Sequence, residues 1–185
     1  MDFESTDFVL EYRFDVDAEH QFSVSIPNHL YIPFNAQMTV WDRRAFMFLY
    51  LPISVHGRVS DIWRSYIAQT VMHVIGLHGL REWRLLYCPV LVDQYRNSHN
   101  YLADFQSELP LYLQTHELLQ FLHEFATTYT LERADEDMLH SATVGRILLD
   151  LYIALYEYGI LELDDVRGIH GWITDIVHTI GWSPE

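Results

Sequence analysis

The chain has 185 residues, half of them hydrophobic and 15% aromatic, with a formal net charge of −15. That composition excludes a disordered chain and supplies apolar material for one sizeable core, while the shortage of positive charge argues against general binding to nucleic acid or anionic membrane. No apolar run reaches the roughly 20 residues of a bilayer span, the opening MDFESTDFVLEYRFD does not read as a secretory signal, and the single Cys88 forbids an internal disulfide.

The charge is unevenly placed. Residues 43–96 hold seven of the eleven basic residues (Arg43, Arg44, Arg58, Arg64, Arg81, Arg84 and Arg96) against Asp61, Glu82 and Asp93, a local balance of +4 inside a chain that is otherwise −19. Every basic residue is arginine, whose planar guanidinium suits carboxylates and phosphates. A basic centre in an acidic shell fits an anionic small ligand such as a nucleotide diphosphate.

In chain order, residues 7–14 and 21–26 alternate or run apolar with β-branched and aromatic side chains, which predicts short strands. Pro27 and Pro33 bracket a loop. TVWDRRAFMFLYLP predicts a short helix or turn feeding a buried strand that stops at Pro52. Ser60 is the expected N-cap of a helix from Asp61 to Leu77, whose apolar stripe includes Ile62, Trp63, Ile67 and Val71, with Gly76 and Gly79 near its stop. WRLLYCPVLV reads as a strand interrupted at Pro89. Beyond residue 96 a polar stretch leads into Pro110, and helices are predicted over 113–129, over 136–158 closed by Gly159, and over 164–180 opened by Asp164 and closed by Gly181. The soft boundary lies between 97 and 112.

Three groups of residues invite chemistry. FDVDA carries Asp15-x-Asp17, the arrangement by which carboxylates at a strand end share a divalent metal; in so acidic a chain the pattern is weak. The pairs His73/His78 and His116/His123 lack the i, i+4 spacing that aims two imidazoles at one ion, so surface or capping roles are expected for them, and Cys88 reads as a small buried hydrophobe. The third is GRVSDIWR. Asp61 in a first helical turn with Arg64 three residues on makes an ordinary helix start with an ion pair; equally, Asp61 at the mouth of a cleft orients or deprotonates a sugar hydroxyl, with Arg58 and Arg64 holding anionic groups. Residue types leave both readings open.

Three blocks, DVDA, the stretch from Tyr31 to Gln69, and PVLVDQYRNSHNYLADFQSELPLYL, resemble the STELLO-type glycosyltransferase-like family. Pro33, Asn35, Gln37 and Thr39 match its Pro-x-Asn-x-Gln-Asn-Thr run, with Met38 in place of the second Asn. Arg58, Val59, Asp61, Ile62, Trp63 and Arg64 match its Arg-Val-x-Asp-Ile-Trp-Arg motif, and Gln94, Arg96, Asn97 and His99 a further tract. The resemblance spans residues 12–125 and its most specific block is Arg58 to Gln69.

The resemblance implies a mixed α/β fold: the second, acceptor-side half of a GT-A-like domain over 1–112, with a helical C-terminal region over 113–185 packed on it. It implies sugar transfer from a nucleotide sugar to a carbohydrate or glycan acceptor, with Asp61 as the catalytic carboxylate and Arg58, Arg64, Trp63, Asn35 and Gln37 as the substrate-binding set. The family's nucleotide-binding half, with its metal-holding acidic cluster, and its membrane anchor lie upstream. No metal ligand is therefore expected in this chain, the divalent metal and nucleotide sugar go with the upstream half, the Golgi membrane is the expected location, and the chain alone is expected to be incomplete or inactive. The alternative is a non-catalytic binding module that pairs with a full-length relative or with itself.

Overall fold

A computed structural model describes residues 9–12, 23–37, 39–79, 83–88, 92–95, 100–130, 141–179 and 181. The described part is mixed but mostly helical. Strands β1 (Val9–Tyr12), β2 (Val24–Ile26), β3 (Leu85–Tyr87) and β4 (Val92–Tyr95) form two separate two-stranded antiparallel pairs, β1 with β4 and β2 with β3. Val9 lies opposite Tyr95, and Val24 opposite Tyr87. The helices are α1 (Gly57–Leu77), α2 (Tyr101–Leu113), α3 (Thr115–Thr128), α4 (Ser141–Tyr158) and α5 (Leu163–Thr174), the last running into a π turn over Asp175–Thr179.

One core lies around α1. Fifteen of its 21 residues are buried, and it packs against α2, α3, α4 and a 3-10 helix, Arg43–Leu49. Trp63, Ile67, Val71, Val74 and Ile75 meet Leu118 and Leu122 of α3, and Ile147, Leu148, Leu151 and Leu155 of α4, in a single apolar cluster. The expected apolar stripe of α1 is therefore the core face, with Ile62 half-buried at its edge. Helix α5 closes on α4 where Gly145 leaves no room for a side chain: a Cβ there would lie 2.9 Å from Ile173.

Several local expectations are corrected. Ser60 does not cap α1. The helix starts four residues before Asp61, with His56 Nδ1 accepting from the Arg58 N–H at 3.2 Å, while the Ser60 hydroxyl donates back to the Gly57 carbonyl. Asp61 thus lies beyond the first turn, where the helix dipole has little hold on it. The run AFMFLYLP makes no strand. Asp42 caps a 3-10 helix there by accepting from Arg44 N, and the Met47 carbonyl takes a hydrogen bond from the Trp172 indole at 3.0 Å instead of a sheet partner. The tract before Pro110 is α2, capped by Asn100 and continuing through the proline. Helix α5 opens at Glu162, not Asp164: buried Asp165 accepts from Glu162 N at 3.0 Å and from Ile53 N and Ser54 N at 2.6 and 3.1 Å, stapling the loop before α1 to the start of α5. Gly159 does close α4, with φ of 86°. Residues 13–22 and 131–140, which hold Asp15, Asp17 and the expected start of α4, lie outside the described residues.

Candidate functional site

The segment before α1 is tied to it by a row of polar side chains one helical turn apart. Asp61 Oδ2 accepts from Ala36 N at 2.9 Å, Ser65 Oγ from Phe34 N at 3.3 Å, and Gln69 Oε1 from Ile32 N at 3.0 Å while its Nε2 donates to Ile32 O at 2.8 Å. Positions 61, 65 and 69 thus meet 36, 34 and 32, so the segment runs antiparallel to the helix. The geometry follows from the two backbones, since four helical residues rise about 6.0 Å and two extended ones about 6.6 Å. A helix with polar residues at i, i+4 and i+8 can therefore serve an extended chain as a neighbouring strand would.

This row brings two of the expected site blocks together. Asp61, half-buried, closes on the backbone between Asn35 and Gln37. Its second oxygen accepts from Ile62 N at 2.9 Å. Asn35 is exposed and Gln37 half-buried; the Asn35 carbonyl accepts from the Thr39 hydroxyl at 2.6 Å, which tightens the turn.

The arginines of the same motif go elsewhere. Arg58 reaches α2, with Nη1 3.1 Å from Asp104 and Nη2 2.8 Å from Glu108, so it joins the two helices and is committed to carboxylates already present. Arg64 turns inward. It is 5% exposed, its guanidinium lies 5.1 Å from the centre of the Trp41 ring, and its Nε and Nη2 have no hydrogen-bond partner among the described residues. No ion pair links it to Asp61, although the carboxylate is near enough to favour its charge. Burial outweighs that attraction and lowers the guanidinium's pKa, yet it stays protonated at any ordinary pH. Trp63 is a core residue at 1% exposure.

Arg64 borders a cavity of about 10 Å³ with Tyr50, Tyr152, Met47, Leu148 and Ile169, room for one water molecule. The Tyr50 ring stands edge-on to Tyr152, with centroids 5.7 Å apart, and its hydroxyl points at Gly168, where an added Cβ would collide with it. Burial drives the Tyr50 and Tyr152 hydroxyls up in pKa, Tyr152 strongly, and the charge of Asp165 adds to it. A second cavity, also about 10 Å³, lies under Leu30 and Gln69. Neither could hold a sugar.

The other candidates resolve into structural roles. His56 caps α1 and His78 bonds the Tyr129 carbonyl at 3.0 Å. His73 is no surface residue: it is buried, stacks on His123 at 6.2 Å, and has its pKa lowered by burial, with the charges of His123 and His29 adding. Cys88 is exposed instead of buried, beside the Ser23 hydroxyl. Among the described residues no group of three or more His, Cys, Asp or Glu could hold a metal, and no helix is long and apolar enough to cross a membrane. Sequence reasoning missed Ser65, Gln69, Trp41 and Asp165. For the first two a signal existed, polar residues at helical spacing inside an apolar run; for the others none did.

The comparisons with known proteins agree with the resemblance. A family model described as STELLO glycosyltransferases matches residues 58–167, beginning at Arg58 and running past residue 125 into α5. Two proteins of Arabidopsis thaliana, named as probable glycosyltransferases STELLO2 and STELLO1, are each 26% identical over 165 residues, which is 89% of this chain but 19% and 18% of theirs. The chain thus spans about a fifth of the length of these relatives. No solved structure matches. With more than half its length matched, the chain belongs to the STELLO glycosyltransferase family.

Proposed function

From that membership we propose that this chain supplies the acceptor side of a GT-A-like domain which, in a longer protein of the kind its relatives represent, transfers a sugar from a nucleotide sugar to a carbohydrate acceptor. Residues 1–112 form the acceptor-side part and 113–185 the helical region packed on it. The nucleotide sugar and its divalent metal are held by residues outside this chain, and the Golgi membrane is the site of action. Asp61 is the acceptor carboxylate, as base or as the group that orients the hydroxyl, and Asn35 and Gln37 flank the same acceptor. Arg58 supports them by tying α1 to α2, and Arg64 and Trp63 support them from the core.

One observation carries this reading. The Asp61 carboxylate meets Ala36 N between Asn35 and Gln37, so the most specific block of the resemblance, Arg58 to Gln69, and the run that holds Asn35 and Gln37 converge on one half-exposed corner. Asp61 keeps lone pairs for an acceptor hydroxyl, since a carboxylate accepts up to about four hydrogen bonds and two are used here.

The test is sugar transfer by the longer protein with Asp61→Asn. The amide oxygen can still accept from Ala36 N and only the bond from Ile62 N is lost, so the fold should hold, while turnover falls at least about a hundredfold if the carboxylate is the base. Unchanged turnover would return Asp61 to a purely structural role. A second reading, a non-catalytic module that pairs with a relative or with itself, is favoured by the small cavities and by the exposed apolar face of α2. It predicts that this chain binds a protein partner and no nucleotide sugar.

A further inference from the structure

We propose that α2 is a pairing surface through which two copies of this chain associate, helix against helix and antiparallel. The inference does not depend on the sugar-transfer reading.

The helix is built inside out. At about 100° per residue, one arc carries Asp104 and Glu108, both ion-paired to Arg58, and Leu111, which packs on the core. The apolar residues Tyr101, Leu102, Phe105, Leu109, Tyr112 and Leu113 fall within about 120° of arc beside it, turned outward from the contact with α1. Helices on a soluble domain normally do the reverse, burying the apolar arc. Here no residue of α2 is buried, and Tyr101 is 83% exposed, Leu113 73%, Leu102 68%, Tyr112 65% and Phe105 51%.

The area is that of an interface. With about 200 Å² for an aromatic side chain and about 150 Å² for leucine, the stripe exposes roughly 600 Å², as large as the largest apolar patch on an ordinary monomer. Two such stripes together cover about 1,200 Å², where stable protein interfaces begin.

The occupant is named by the order of the residues. The stripe is symmetric about position 107: an antiparallel mate sets Tyr101 against Leu113, Leu102 against Tyr112, and Phe105 against Leu109. Each pair joins an aromatic ring to a leucine, and a two-fold axis needs such self-complementarity, because each copy presents the same patch. A lipid surface fits less well, since helices that lie in a membrane interface carry Lys or Arg on their polar arc whereas α2 has neither and its polar arc is acidic. No charge lies in the stripe, so repulsion between two chains of net charge −15 acts at long range and is screened by salt.

Sedimentation equilibrium of the chain at about 0.15 M salt, where the Debye length is about 8 Å, should give twice the monomer mass. Phe105→Lys and Leu109→Glu, each in an exposed or half-exposed position, should leave the helical circular dichroism unchanged and raise the dissociation constant at least about a hundredfold. Mixing those two variants should restore the dimer, because the ammonium introduced in one copy then faces the carboxylate introduced in the other. Val40→Asp, at a still more exposed apolar position outside the stripe, should have no effect. A chain that stays monomeric at all concentrations, because the stripe belongs to some other partner, overturns the proposal, as does a dimer indifferent to Phe105→Lys. Failure of the mixed variants to pair overturns the antiparallel register.

Discussion

Replacing Arg64 by Met should leave the protein folded and more stable. Arg64 is 5% exposed, two of its nitrogens have no hydrogen-bond partner among the described residues, and what offsets its burial is the Trp41 ring at 5.1 Å and the charge of Asp61 nearby. Exchanging buried ionic groups for apolar residues of similar volume is neutral to about 4 kcal/mol stabilising, and the lost cation–π contact offsets about 0.5–2 kcal/mol. The net expectation is about 1–2 kcal/mol in favour of Met, or a thermal midpoint about 2–8 °C higher for a chain of this size. Arg64→Lys should go the other way, because an ammonium is more strongly hydrated than a guanidinium and cannot stack flat on the indole. Thermal melts followed by circular dichroism rank the three proteins. A midpoint for Arg64→Met lower than wild type by more than about 4 °C would refute the reasoning, because only a well-satisfied guanidinium would be missed so much.

Gln69→Ala removes both hydrogen bonds to Ile32 and one to the Ser65 carbonyl; at about 1–3 kcal/mol for polar groups left unsatisfied, the midpoint should drop by about 5 °C or more, and amide exchange at Ile32 should quicken. Burial, with His123 and His29 adding, holds His73 below its ordinary pKa of 6.5, so the unfolded chain binds the proton first: stability should be full above pH 6.5 and decline as pH falls below it, and a pH series of melts on His73→Gln should show a shallower decline. Gly168→Ala should destabilise by pressing on the Tyr50 hydroxyl; adding Tyr50→Phe should recover part of the loss, which a double-mutant cycle in urea would measure.

Much of the helical frame was legible because it rests on one signal. The buried stripe of α1, the extent of α3 and the glycine that ends α4 all follow from apolar period and caps. That signal fails where the fold departs from its premise. In α2 the apolar arc faces outward and Pro110 interrupts the pattern, so a helix read by burial goes unseen. AFMFL has no period at all, and strand and 3-10 helix are indistinguishable in it until Asp42 and Trp172 are placed. For the candidate site, Arg58, Asp61 and Arg64 at i, i+3 and i+6 suggest one shared face. The wheel spreads them over an arc wide enough for three separate environments: the acids of α2, the turn at Ala36, and the core. Which one each side chain joins depends on elements more than twenty residues away.

The row at 61, 65 and 69 also explains where the preceding segment must turn. Each rung advances about 6.0 Å along the helix and about 6.6 Å along the extended chain, so after three steps the two are out of register by about 2 Å, enough to break a hydrogen bond. A fourth rung would pair His73 with the backbone at Leu30. Instead Leu30 N donates to Pro27 O at 2.9 Å, closing a turn, and His73 Nδ1 has no partner among the described residues. Thr70, one step round the helix, bonds the Tyr31 hydroxyl at 3.3 Å in place of that rung. The segment is therefore held for about one strand's length, by one bond each at Asp61 and Ser65 and by two at Gln69, and then released. A site that needs Asn35 and Gln37 in fixed positions gains from the last rung at the other end, since the bond nearest to them, at Ala36 N, is made by the motif's own carboxylate.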